Sequence, residues 1–177
     1  MSDGATALIF HAPTKRTEET AQEIYRGLQA ALRAQNKIKA RVSPPQIEIA
    51  IRNFYFILND IAYPPTDAMH ESLPPSAAQN PFLQGFWQAV DDPIAYWLTH
   101  PGPFAESPET VAQRLLAFFS YCLNNSSAAF YILVTHSGPM RAFLRAMFGS
   151  DPGEPDFCEM FQVDANGVHY RGQDRTI

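Results

Sequence analysis

The sequence predicts an α/β fold with a largely parallel sheet, and three observations carry that prediction. Two continuous apolar runs, Ala7-Leu8-Ile9-Phe10 and Ala129-Phe130-Tyr131-Ile132-Leu133-Val134, read as strands covered on both faces. Each run is followed by a short turn and then by a helical pattern, the alternation that parallel crossovers require. The chain has 177 residues, 46% of them apolar and 18% charged, which is enough to fill a core. That length predicts one domain over residues 1–177, with a proline-rich excursion at about 63–81.

The first strand is expected over Ala5 to Phe10, ended by His11-Ala12-Pro13, because proline cannot donate to a ladder. A helix follows over Thr17 to Ala34. Ala21, Ile24, Leu28 and Ala31 lie on one face, with Glu18 and Glu19 in the first turn. Ile47 to Ile61 is ambiguous between helix and strand. Tyr63 to Pro81 holds Pro64, Pro65, Pro74, Pro75 and Pro81 and reads as a long surface loop. Phe82 to Leu98 is expected to be helical, interrupted or restarted at Pro93. Ser107-Pro108-Glu109 is a helix start, and Val111, Leu115, Phe118, Phe119 and Cys122 form its apolar face. Thr135 to Pro139 is a turn, Met140 to Phe148 a helix, and Asp164-Ala165-Asn166-Gly167 the turn of a hairpin.

Several function classes are disfavoured. A net charge of −5 gives no nucleic-acid footprint and no polybasic membrane anchor. No apolar run approaches the length of a membrane span. The first residues carry no basic, apolar leader, so a cytoplasmic protein is expected. Two cysteines, Cys122 and Cys158, exclude a disulfide framework. No C-x-x-C or H-E-x-x-H occurs, so neither a metal nor another cofactor is called for.

Chemistry is concentrated at the ends of the two strands. Tyr131 to Leu144 delivers His136 at the carboxyl end of a strand, before a glycine turn and a helix. Ligands of open α/β sheets bind there, and the unsatisfied amides of the next helix favour an anion. Ser137 and Gly138 occupy that turn, and glycine permits close backbone approach. The segment Ala7 to Ala21 repeats the design and places Arg16 at its helix start, where a guanidinium can grip phosphate oxygens. Taken singly, the His136 segment already favours a functional histidine over a loop histidine that only ends a strand, whereas an isolated Arg16 reads as an ordinary exposed arginine. Together they point to one phosphate cleft.

Three segments resemble the histidine phosphatase superfamily, the phosphoglycerate mutase-like phosphatases. His11 to Ala21, HAPTKRTEETA, resembles S-P-x-x-R-x-x-x-T-A, whose arginine binds the phosphoryl group; that role falls on Arg16. Gly102 to Phe119 resembles the G-E-S loop, with Glu106 and Ser107 at the matching positions. Ile132 to Leu144, ILVTHSGPMRAFL, resembles V-x-S-H-G-G-x-I-R-A, whose histidine lines the phosphate pocket; that role falls on His136. The resemblance implies a three-layer α/β/α sandwich and a metal-independent phosphomonoester phosphatase. The substrate would be a small phosphorylated molecule or a phosphoprotein.

One family feature is absent. The family's phosphoryl acceptor is the histidine of an R-H-G that ends its first strand, and no R-H-G occurs here. By that comparison a strand, its loop and a helix are expected to be missing, about 30 residues. Three explanations compete: a start displaced past the acceptor, a pseudoenzyme that still binds phosphate esters, or His11 as acceptor with Phe10 where arginine belongs. The third fits less well, because Lys15 to Ala21 matches the second motif. A missing strand would leave an exposed sheet edge that invites dimerisation. For the acid that protonates the leaving oxygen, Asp60, Asp67 and Glu71 lie in the right stretch, and Glu71 is preferred. Glu106 is expected to hold its loop. His70 and His100 read as surface residues, His169 as structural, and Trp87, Trp97 and the phenylalanines as core.

Overall fold

A computed structural model describes residues 4–37, 39–65, 74–125 and 128–176. The chain divides into two compact units, Met1–Arg52 with Ala117–His136, and Asn53–Leu116 with Ser137–Ile177. Helices and strands are mixed, and the sheet of the first unit is parallel, as the sequence predicts.

In the first unit β1 (Thr6–His11) is the central strand. It pairs in parallel with β2 (Arg41–Val42), β3 (Gln46–Ile47) and β6 (Phe130–Val134), the last through a register running from Ala7↔Phe130 to His11↔Val134. Its side chains alternate between half-buried and fully buried, so both faces are covered. Phe10 lies edge-on to Phe118 at 5.9 Å and stacked on Tyr131 at 6.4 Å. The helix α1 (Lys15–Ala34) follows at once. Thr14 caps it by accepting from the Thr17 amide, Glu18 sits in the first turn, and Arg33 in the last complements the dipole.

Two expectations about this unit are corrected. β6 is apolar throughout but only half-buried, and Phe130 is exposed. Among the described residues its strand neighbour is β1 alone, so no described strand pairs with its other edge. The stretch Ile47 to Ile61, ambiguous in sequence, resolves into the end of β3, a 3-10 turn at Ile49–Ile51 and, in the second unit, strand residues from Phe56 onward.

The second unit opens with a hairpin of β4 (Phe56–Leu58) and β5 (Ile61–Tyr63). Its turn residues Asn59 and Asp60 both have positive φ, 50° and 61°, the conformation that matches hairpin twist. The expected proline-rich loop begins at Tyr63, the last residue of β5, and its Pro75–Gln79 stretch is a 3-10 helix. The helices α2 (Pro81–Gln88) and α3 (Pro93–Thr99) each begin with proline behind a cap, Asn80 and Asp92 respectively. Pro93 thus starts a second helix. The helix α4 (Pro108–Asn124) is capped by Ser107, whose Oγ accepts from the Thr110 amide at 3.1 Å. Its first half belongs to this unit and its end to the first.

The core of the second unit is aromatic. Phe54 stacks on Trp97 at 4.1 Å, with Phe56, Phe82, Leu83 and Leu98 buried around them. Trp87 packs against this core from a partly buried position. The helix α5 (Ser137–Phe148) starts three residues earlier than the sequence suggests, so Ser137, Gly138 and Pro139 of the expected turn are helical. The predicted hairpin is β7 (Gln162–Asp164) with β8 (Gly167–Tyr170), extended by an unforeseen third strand, β9 (Gln173–Arg175).

Candidate functional site

The carboxyl end of β1 and the start of α1 gather the polar groups of the first unit around one backbone carbonyl. The Ala12 oxygen accepts from the Thr14 amide at 2.7 Å, from Thr17 Oγ1 at 2.6 Å and from His11 Nδ1 at 2.9 Å. Ala12 in turn donates its amide to Val134 at 2.9 Å, which ties this corner to β6. His11 is 5% exposed, on the same buried face as Ala7 and Ile9. Its Nδ1 carries the proton, since a carbonyl can only accept, and the lone pair sits on Nε2.

The segment after β6 meets this corner. Thr135 Oγ1 donates to the Ile51 carbonyl at 2.6 Å and so fixes the turn that carries His136. His136 Nε2 lies 3.3 Å from Thr14 Oγ1. Burial first, and the charge of the Arg16 guanidinium second, push the His136 pKa down to about 4. The imidazole is therefore neutral at pH 7 and close enough to Arg16 to feel its charge. Arg16 is the second residue of α1 and is exposed. Arg16 and His136, which sequence placed at separate strand ends, thus lie within electrostatic reach of each other.

Of the other sequence candidates, Ser137 and Gly138 follow His136 directly in the chain as the first two residues of α5. Gly138 is buried, and a Cβ there would meet Asn53 Oδ1 at 3.0 Å and the Phe54 ring at 3.2 Å, so a larger residue would be crowded by packing alone. The Glu106 carboxylate sits 3.4 Å from Arg114 Nε. Its amide bonds to Tyr55, and its carbonyl accepts from Trp97 Nε1 at 2.9 Å, so Glu106 holds its loop as expected. Asp60 lies in the β4–β5 turn, beside a shallow hollow whose described lining holds no other titratable side chain. Asp67, His70 and Glu71 lie outside the described residues. His100 is exposed and stacked on Tyr96 at 4.1 Å. His169 is held between Asp174 at 2.7 Å and Asp164 at 3.3 Å, and these two carboxylates raise its pKa. Among the described residues no three His, Cys, Asp or Glu side chains are grouped to hold a metal. No described helix is long and apolar enough to cross a membrane.

Sequence reasoning missed two features. Thr14 was passed over because the helix was started at Thr17; the capping preference for threonine just before a helix was the available signal. Arg141, 1% exposed, is gripped by Asp92, Asp151 and Glu154. Asp92 lies 49 positions away from it in sequence, so no local pattern announces the pairing.

A family model, the histidine phosphatase superfamily (branch 1), matches residues 79–177, just over half of the chain. The matched stretch contains Glu106, Ser107 and His136, and Arg16 precedes it. No curated protein matches the chain significantly.

Proposed function

The chain belongs to the histidine phosphatase superfamily, and on that premise we propose that it binds the phosphoryl group of a phosphomonoester through Arg16 and His136. One observation carries the reading: an exposed guanidinium and a neutral imidazole, supplied by two strand–helix corners of one parallel sheet, sit within electrostatic reach of each other. Arg16 supplies the fixed positive charge, and its planar fork suits two phosphate oxygens. His136 supplies a second polar contact and takes up a proton when an anion arrives, because the anion favours the charged imidazolium. No metal is needed for this binding.

Turnover is a separate matter. In the family's reaction a histidine lone pair forms an N–P bond while the P–O bond to the alcohol breaks. An acid protonates the leaving oxygen, and water then cleaves the N–P bond. The sequence holds no R-H-G, so hydrolysis by this chain is expected to be weak or absent. The lineage reading is a phosphatase whose acceptor is supplied by a segment outside this sequence; the alternative is a phosphate-ester-binding or interaction module that binds without hydrolysis.

A second reading has its own observation. His11 donates Nδ1–H to a carbonyl and so presents a lone pair on Nε2, as a phosphoryl acceptor must. Its burial argues against ready access. Calorimetric titration with inorganic phosphate and a phosphomonoester, beside a p-nitrophenyl phosphate assay, separates these readings. Binding that Arg16→Ala and His136→Ala each weaken by about tenfold or more supports the site. Unchanged affinity in both variants removes it. A phosphohistidine that is trapped on the chain and lost in His11→Asn makes the protein an enzyme with a relocated acceptor.

A further inference from the structure

We propose that Thr14 and Thr17 form a hydroxyl relay that fixes the His136 ring as its Nε2–H tautomer, making both threonines positioning residues for that imidazole. The argument runs backward from the groups that can only accept. Thr17 Oγ1 lies 2.6 Å from the Ala12 carbonyl and 2.9 Å from the Thr14 carbonyl. Its single proton is spent on one of these oxygens, since neither can donate. Thr17 Oγ1 is also 2.9 Å from Thr14 Oγ1. With the Thr17 proton committed, only the Thr14 proton can fill that contact; otherwise two lone pairs would face each other. Thr14 Oγ1 is then left as an acceptor. It takes the Thr17 amide at 3.4 Å and His136 Nε2 at 3.3 Å. An acceptor at that position requires a proton on Nε2.

The direction is therefore set by the chain: His136 Nε2–H to Thr14, Thr14 to Thr17, Thr17 to a backbone carbonyl. Thr17 is 3% exposed, so water does not compete for its end of the relay. The His136 lone pair is placed on Nδ1. On the reading of His136 as a phosphate-contacting residue, an anion bonded to Nδ1 draws a proton onto that nitrogen as it binds. Thr17 never touches His136 in this scheme, yet it decides which ring nitrogen carries the proton.

The test is ¹⁵N NMR of the ligand-free full chain with labelled histidine at pH 7, where ring shifts distinguish N–H from bare nitrogen. The expected spectrum has His136 protonated at Nε2 and unprotonated at Nδ1. In Thr17→Val the Thr14 proton loses its acceptor and turns toward His136, so the two nitrogens exchange signatures; Thr17→Ser keeps the original pattern. Should Thr17→Val fail to fold, Thr14→Ala moves both nitrogens toward the averaged shifts of a free imidazole. A wild-type ring protonated at Nδ1, or shifts that neither variant moves, overturns the relay. Sulfate titration of the same sample tests the phosphate reading separately: binding without the relay spectrum rejects the relay alone, and the relay spectrum without binding rejects the phosphate reading alone.

Discussion

The His136 imidazole is held at a pKa of about 4 rather than the usual 6.5, by burial first and by the charge of the Arg16 guanidinium second. The folded state thus disfavours the proton that the unfolded chain accepts. Between pH 6.5 and 4 the unfolded state binds more protons, so stability falls as pH falls through that window. The contribution is complete above 6.5 and lost below 4, and amounts to about 3 kcal/mol at most. Urea midpoints measured across pH 7 to 4 are expected to decline more steeply in the wild type than in His136→Gln. Equal slopes in the two proteins would show that His136 titrates normally.

Anion binding follows the opposite sign. A bound dianion favours the imidazolium, so affinity rises as pH falls. Sulfate suits the measurement because its own charge does not change over pH 5 to 8, whereas phosphate loses charge near pH 6. Sulfate affinity is expected to tighten steadily from pH 8 to 5. In His136→Gln it becomes flat with pH, and in Arg16→Ala it is weak throughout. A pH-independent wild-type affinity would place the anion away from His136.

Arg141 is the charged residue most deeply enclosed in the second unit. Asp92 meets it in a two-point grip at 2.7 and 2.9 Å, Asp151 bonds its Nε at 2.9 Å, and Glu154 adds a third carboxylate at 2.9 Å. The grip holds the Asp92 pKa below the ordinary carboxylate value. Asp92 also caps α3 through the Ala95 amide, so one carboxylate fastens two helices. Removing a partner from a buried ion cluster costs about 3–5 kcal/mol. Arg141→Ala is expected to lose that much by chemical denaturation. Arg141→Lys is expected to recover little, because an ammonium cannot make the planar fork.

The two cysteines are expected to separate cleanly. Burial, with the charge of Glu48 behind it, pushes the Cys122 thiol up to about 11, so almost no thiolate exists at pH 8. Cys158 is exposed. A disulfide exchange reagent is expected to consume one thiol in the native chain and the second only after unfolding. Two fast equivalents in the native state would mean that α4 opens at Cys122 on the time scale of the assay.

What could be read from the sequence follows how local each signal is. β1, α1 and α4 were legible because an apolar run or a helical stripe needs only its own residues. β2 and β3 were not, since Arg41–Val42 and Gln46–Ile47 become strands only by bonding to β1. β9 was missed because Gln173, Asp174 and Arg175 are polar and exposed, and only pairing with β8 makes them a strand. Arg16 and His136 stand out in the sequence because each lies at a strand–helix corner, where chemistry is expected. Thr14 was hidden behind a helix started too late. The partners of Arg141 were hidden by distance along the chain.

Gly85 offers the sharpest packing test. It lies in α2 (Pro81–Gln88), facing α3, and a Cβ built on it falls well inside contact distance of the Tyr96 ring and hydroxyl. A retreat of the ring disturbs two contacts, its stacking on His100 at 4.1 Å and its packing against Phe82 at 5.7 Å. Glycine mid-helix is otherwise less favourable than alanine by about 1 kcal/mol, so helix propensity alone predicts that Gly85→Ala stabilises. Overpacking is expected to win, since forcing a well-packed side chain aside costs about 1–3 kcal/mol. The predicted result is therefore a net loss of stability in Gly85→Ala. Tyr96→Leu removes the obstructing ring, so the same glycine change made in that background is expected to become neutral or stabilising. This coupling is readable as a double-mutant cycle in urea. Additive effects in the cycle would show that α2 and α3 do not meet at this pair.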